Sequence, residues 1–160
     1  MNEDIQIIKK DSLNKKELRL FKKMVIELNL QPFVKRIKVP YEELRSLDIG
    51  ERVVYGLTFK GVTIGFFEIV LYENYVLLDY FYIQKSFRKL GFGAIFLERL
   101  KAIYPNIVLY IFKYLKNYQY LVYFYEHNGF KKIDKPMELN SSISYLEQYF
   151  KFNRLKGVSN

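Results

Sequence analysis

The spacing of apolar and polar residues changes several times along the chain, and each change marks an element. Asn14 followed by Glu17 has capping-box spacing, and Leu18, Phe21, Val25 and Leu28 then recur on one helical face, which predicts an amphipathic helix over residues 14 to 29. "VPYEELRSL", with Pro40 placed as a first-turn proline, predicts a short second helix. From Val53 the period falls to that of strands. "VVYGLTF", "VTIGFFEIVL" and "YVLLDYFYI" are β-branched and aromatic runs separated by "KG" and "YEN", which predicts an antiparallel meander. The third run is apolar on both faces except at Asp79, as expected of a central strand.

Helical spacing returns with Phe92, Ile95, Phe96, Leu100 and Ile103 and stops at Pro105. "NIVLYIF" predicts a strand parallel to its predecessor, because a helix intervenes. "NYQYLVYFYEHNGF" predicts a helix closed by a left-handed cap at Asn128-Gly129. "FKKID" predicts another strand, and "SYLEQYFKF" fits either a last strand or a helix. The order α-α-β-β-β-α-β-α-β-β gives an α+β fold, a mixed and mostly antiparallel sheet flanked by helices. No repeat, low-complexity tract or linker divides the 160 residues, so one domain over 1–160 is expected.

Composition narrows the chemistry. The chain has no cysteine and one histidine, His127, read as a solvent-facing helix-end residue; disulfides, thiolate sites, a cysteine nucleophile and a histidine metal cluster are excluded, and no metal is expected. No run approaches the roughly 18 apolar residues of a membrane span, and the first residues lack the apolar core of a secretory signal. A cytoplasmic protein without membrane contact is expected. A net charge of +9, from 26 Lys+Arg against 17 Asp+Glu, favours an anionic ligand or partner. The basic residues are scattered, however, and the 15 Tyr and 14 Phe fall mostly at core spacing, so no nucleic acid is expected.

The most informative stretch is "RKLGFG", Arg88 to Gly93, between the third predicted strand and a helix. A strand that runs into glycines and a helix N-terminus presents several backbone N–H groups in one direction, with the positive end of the helix dipole behind them. Gly91 and Gly93 would let an anion approach the backbone, and Arg88 and Lys89 would add charged contacts. The same glycines also suit a turn that needs positive φ or close helix–sheet packing. A P-loop would require Lys and Ser/Thr where this chain has Ala94 and Ile95, and a dinucleotide fingerprint would require a small residue at Phe96. Neither fits.

"YFYIQKSFRKLGFG" is similar to the signature of the GNAT N-acetyltransferases, in which a central strand enters an R/Q-x-x-G-x-G/A loop and then a helix. "FYEHNGF", Phe124 to Phe130, resembles the segment that ends the later helix of that family, and "LLDYFYI" resembles the "LDYF" strand of a bacterial subgroup. The resemblance covers about residues 53 to 133. It implies acetyl-CoA as cosubstrate and direct transfer of the acetyl group, in a ternary complex, to a small-molecule or protein amine. It further implies that the loop of Arg88, Lys89, Leu90, Gly91, Phe92 and Gly93 binds the pyrophosphate, and that the strand edge at Phe81, Tyr82 and Ile83 pairs with the pantetheine. A backbone N–H near Ile83 would then stabilise the oxyanion, and Tyr125 would protonate the departing thiolate.

Asn117 has two readings, coenzyme ligand or helix N-cap. As the base that deprotonates the amine, Asp79 is preferred to Glu68, because a carboxylate in an apolar central strand is costly without a purpose. The other reading of Asp79 is a structural acceptor. Leu90 stands where the family commonly has a basic or small residue and Leu121 where it has alanine, and "NIVLYIF" lacks a carboxylate that the subgroup tends to carry. These departures make a non-catalytic coenzyme-binding or regulatory domain the alternative function. Monomer and homodimer are both compatible with the chain, whose aromatic tail "ISYLEQYFKF" offers a surface for another subunit.

Overall fold

A computed structural model describes residues 2–29, 51–139 and 144–154; the helix expected around Pro40 lies outside them. The chain opens with a strand that the sequence reading did not anticipate, β1 (Ile5–Lys10), followed by helix α1 (Lys15–Asn29). β1 is too short and too basic to stand out by period. It is held by antiparallel pairing with β2 (Glu51–Phe59), with Ile5 opposite Phe59 and Lys10 opposite Val54. The expected meander follows as β2, β3 (Val62–Leu71) and β4 (Val76–Ile83). Lys60 and Gly61 both have positive φ, 51° and 79°, the conformation a tight β2–β3 turn requires.

Helix α2 (Phe92–Ile103) carries the chain across to β5 (Asn106–Phe112), which is parallel to β4 as expected. Helix α3 (Tyr118–His127) leads to the short strand β6 (Lys131–Ile133), and the ambiguous tail segment is a strand, β7 (Glu147–Asn153). The seven strands form one sheet in the order β1-β2-β3-β4-β5-β7-β6, antiparallel except at β4–β5. The α3 cap forms as read. Gly129 has φ 87°, the Phe130 N–H donates to the Tyr125 carbonyl at 3.0 Å and the Gly129 N–H to the Glu126 carbonyl at 3.2 Å.

The sheet is covered on both faces. On one, Phe96, Leu97 and Leu100 of α2 and Val122 and Tyr125 of α3 bury against Leu57, Phe67, Leu78, Leu109 and Phe150. On the other, Met24 of α1 seats against Phe66 and Tyr82. The α1 capping box is present: the Glu17 N–H donates to Asn14 Oδ1 at 2.8 Å and the Asn14 N–H to Glu17 Oε1 at 3.2 Å. The buried stripe of α1 is rotated from the expected one. Leu20, Phe21, Met24 and Val25 pack inward, whereas Leu18 is exposed.

Candidate functional site

β4 and β5 pair only at Val76–Ile107, Leu77–Val108 and Leu78–Leu109. Beyond Leu78, β4 continues to Ile83 paired with β3, whereas β5 continues to Phe112 paired with β7. The two central strands therefore diverge, and the edge of β4 from Asp79 to Ile83 has no strand partner on its β5 side among the described residues. Such an edge offers backbone N–H and C=O groups to an extended, amide-bearing ligand.

The cause of the divergence lies at Asp79. Glu68 stands opposite Tyr80 and Ile69 opposite Leu78, so Asp79 is the extra residue of a β-bulge, which bends the strand. The bulge also resets the alternation of side chains. Val76 and Leu78 face the α2–α3 side, and so do Phe81 and Ile83, while Leu77, Tyr80 and Tyr82 face the other. Asp79 is fully engaged. Arg52 Nη1 donates to Asp79 Oδ2 at 2.8 Å and to Glu68 Oε1 at 2.6 Å, and the Tyr110 hydroxyl donates to Asp79 Oδ1 at 3.0 Å across the opening. Both carboxylate side chains are 1% exposed. Burial opposes the Arg52 charge, but the two carboxylates outweigh it and raise the guanidinium pKa above its already high value. The geometry thus supplies Asp79 with the partners of a structural acceptor.

The loop after β4 begins with a single 3-10 turn, Lys85–Phe87, and then passes through two left-handed residues, Lys89 at φ 63° and Gly91 at φ 85°. The amides of Lys89, Leu90 and Gly91 donate to no backbone carbonyl among the described residues, and the first amides of α2 have no intrahelical acceptor. A Cβ at Gly91 would meet nothing within 4 Å, so this side of the loop is open to an approaching group. Phe92 anchors the loop from below against Phe59, ring centroids 5.0 Å apart.

The loop residues divide their roles differently from the sequence reading. At Gly93 a Cβ would lie 3.2 Å from Phe124 Cζ and 3.8 Å from Phe81 Cζ, so its missing side chain serves the packing of α2 on α3 and β4. Arg88 points away from the loop amides. Its Nε donates to the Ile83 carbonyl at 2.6 Å, its Nη2 meets Glu27 Oε1 at 3.0 Å, and its guanidinium covers the Tyr82 ring at 5.1 Å. Arg88 ties the loop to α1, while Lys89 is an exposed cation beside the open amides, with Leu90 exposed next to it.

Tyr125 lies in the core beneath α3, its ring 5.7 Å from Phe130 and 6.2 Å from Phe150. Burial pushes its phenol well above the ordinary value, so it is protonated at neutral pH, and its hydroxyl makes no hydrogen bond among the described residues. Asn117 occupies the N-cap position of α3, where its carbonyl accepts the Leu121 N–H at 3.0 Å, but its exposed side chain makes no capping bond. Leu121 is half-buried against the core. His127 is exposed and stacks on Tyr123 at 3.7 Å.

Three residues at the site went unread in the sequence. Arg52 and Tyr110 complete the Asp79 network, and Gly65 brings β3 against the end of β4, since a Cβ there would fall 2.1 Å from the Tyr82 carbonyl oxygen. A lone glycine inside a strand pattern was the available signal for the last. Among the described residues no group of His, Asp and Glu side chains gathers as metal ligands would, and no helix is long and apolar enough to cross a membrane.

No protein-family model matches the sequence, and no curated protein matches it. Solved structures do. A chimera of the spermidine N-acetyltransferase SpeG from Vibrio cholerae and hSSAT matches with a TM-score of 0.63 at 15% identity, over 98% of this chain and 99% of that one. An acetyltransferase from Thermus thermophilus matches with a TM-score of 0.59 at 14% identity, over 93% and 96%. A GNAT family acetyltransferase from Elizabethkingia anophelis with acetyl-CoA bound matches with a TM-score of 0.56 at 11% identity, over 94% and 99%. The mixed sheet, its helices and their order are those of the GNAT acetyltransferase fold.

Proposed function

We propose that this protein transfers the acetyl group of acetyl-CoA to the nitrogen of an amine acceptor. The observation that carries the reading is the divergence of β4 from β5 beside a strand–helix loop whose amides are open. The same fold binds acetyl-CoA in the Elizabethkingia anophelis protein. Acetyl-CoA supplies a thioester carbonyl and a thiolate leaving group. The residues of this chain do the rest. Amides from Lys89 into the first turn of α2 hold phosphate oxygens, and the Phe81–Ile83 edge pairs with the amides of an extended arm. As the new N–C bond forms and the C–S bond breaks, the Tyr125 hydroxyl gives its proton to the sulfur, and the proton lost by nitrogen passes to Asp79, directly or through water. Small-molecule amines and protein amines are both acceptors of this class.

The engagement of both Asp79 oxygens favours a second reading, a coenzyme-binding domain without turnover. One measurement separates the two: free thiol released from acetyl-CoA in the presence of polyamines, amino acids, aminoglycoside-like amines and short peptides with free N-termini. Amine-dependent release is the expected result. Saturable coenzyme binding without release on any amine selects the second reading, and no binding at millimolar coenzyme removes both.

A further inference from the structure

We propose that the cleft between α1 and the β1–β2–β3 edge of the sheet is a second binding site, built for an amphipathic polyanion: an organic molecule with two or more phosphate or carboxylate charges on an apolar body. The cavity there measures about 760 Å³, within the range of small-molecule sites. Lys16, Arg19, Lys22 and Lys23 of α1 line it. All four are exposed, and none has an acidic partner among the described residues.

Glu17, the one acidic residue among the described residues of the lining, is already neutralised, accepting from Thr63 Oγ1 at 2.7 Å and pairing with Lys10 Nζ at 3.0 Å. The cleft therefore carries an uncompensated positive field. Like charges three and four residues apart weaken a helix, so the crowding of Lys16, Arg19, Lys22 and Lys23 is not explained by α1 stability. An anion that takes up this field explains it, because a concave wall focuses the field more than an open surface does.

The apolar part of the ligand is set by three side chains. Ile8 is 45% exposed, Ile26 59% and Val62 47%, and all three line the same cleft. Apolar groups left uncovered beneath a ring of cations fit a molecule that brings both a charged end and an apolar body. The site is distinct from the proposed coenzyme site, which it adjoins at Gln84: none of Phe81 to Ile83 or Arg88 to Gly93 lines it.

The test uses bis-ANS, a dye with two sulfonates on apolar rings, titrated by fluorescence into the full chain with coenzyme A present. Saturable binding of one dye per chain is expected. Affinity should fall at least about tenfold in a Lys16→Gln/Arg19→Gln/Lys23→Gln variant of unchanged melting temperature. Gly91→Val should leave it unaltered, which separates this cleft from the coenzyme loop. Inorganic pyrophosphate, a polyanion without an apolar body, should compete only weakly. Loss of dye binding in Gly91→Val, undiminished binding in the triple variant, or equal competition by pyrophosphate would overturn the proposal.

Discussion

Tyr125 and Asp79 are both buried polar side chains, yet they are buried in opposite ways. The Tyr125 hydroxyl has no hydrogen bond to lose among the described residues, so Tyr125→Phe should leave melting temperature and coenzyme affinity nearly unchanged. If the phenol protonates the leaving thiolate, kcat should fall about 10²-fold, the low end for a general acid because a thiolate leaves readily. Turnover, coenzyme Kd and melting measured on one variant check this. Asp79→Asn should lower both turnover and stability. It removes the Asp79 charge from beside Arg52, and breaking a buried pair costs roughly 3–5 kcal/mol; the low end is expected because the Arg52 side chain keeps 24% exposure and its bond to Glu68. Denaturant midpoints measure that loss, and a turnover defect that grows toward low pH marks Asp79 as the base, whereas lost stability with turnover intact removes that role. Glu17 adds a pH dependence. Burial opposes its ionisation, but the Thr63 hydroxyl, Lys10 and the Asn14 amide outweigh it and lower its pKa below the usual 4.5. Its contribution to stability is therefore complete above about 4.5 and lost as pH falls through the lower folded value, and Glu17→Gln should flatten that part of an acid denaturation curve.

At the scale of elements, the meander, α2, β5 and the Asn128-Gly129 cap were legible because each is set by a local signal: period, breaker or positive φ. β1 was not, since its six residues owe their conformation to pairing with β2. The buried stripe of α1 was misplaced because Leu18 and Leu20 are equally apolar, and only the docking on Phe66 and Tyr82 chooses between them. The strand edge at Phe81 to Ile83 was read through the family resemblance alone. Its physical origin, the bulge at Asp79, is a matter of register between strands that no single-strand pattern encodes. Arg52 was missed for a related reason, as it stands one residue before the apolar run by which β2 was recognised. Two glycine substitutions separate the kinds of constraint. Gly91→Val meets no obstruction and should cost only the left-handed conformation, about 1–2 kcal/mol, while weakening coenzyme binding. Gly65→Ala places a Cβ 2.1 Å from the Tyr82 carbonyl and should force β3 from β4, a far larger loss in melting temperature.

For the whole molecule, the opening between β4 and β5 also limits how the sheet is joined. Val76, Leu77 and Leu78 with Ile107, Val108 and Leu109 are the whole ladder between β1–β4 on one side and β5–β7 on the other. The sheet is two leaves on a short spine, and each leaf has its own antiparallel ladders. Native-state hydrogen exchange should therefore resolve two cooperative units, with the β5–β7 leaf opening at lower free energy because it is smaller. Coenzyme at 100-fold its Kd should stabilise the fold by about 2.7 kcal/mol, read as a shift in the denaturant midpoint. An arm that pairs along the free edge of β4 would act as an extra strand between the leaves, so protection should rise in both together and their separate exchange should merge into one transition. On this account the gap is a clasp left open in the folded chain, and the cosubstrate is the piece that closes it.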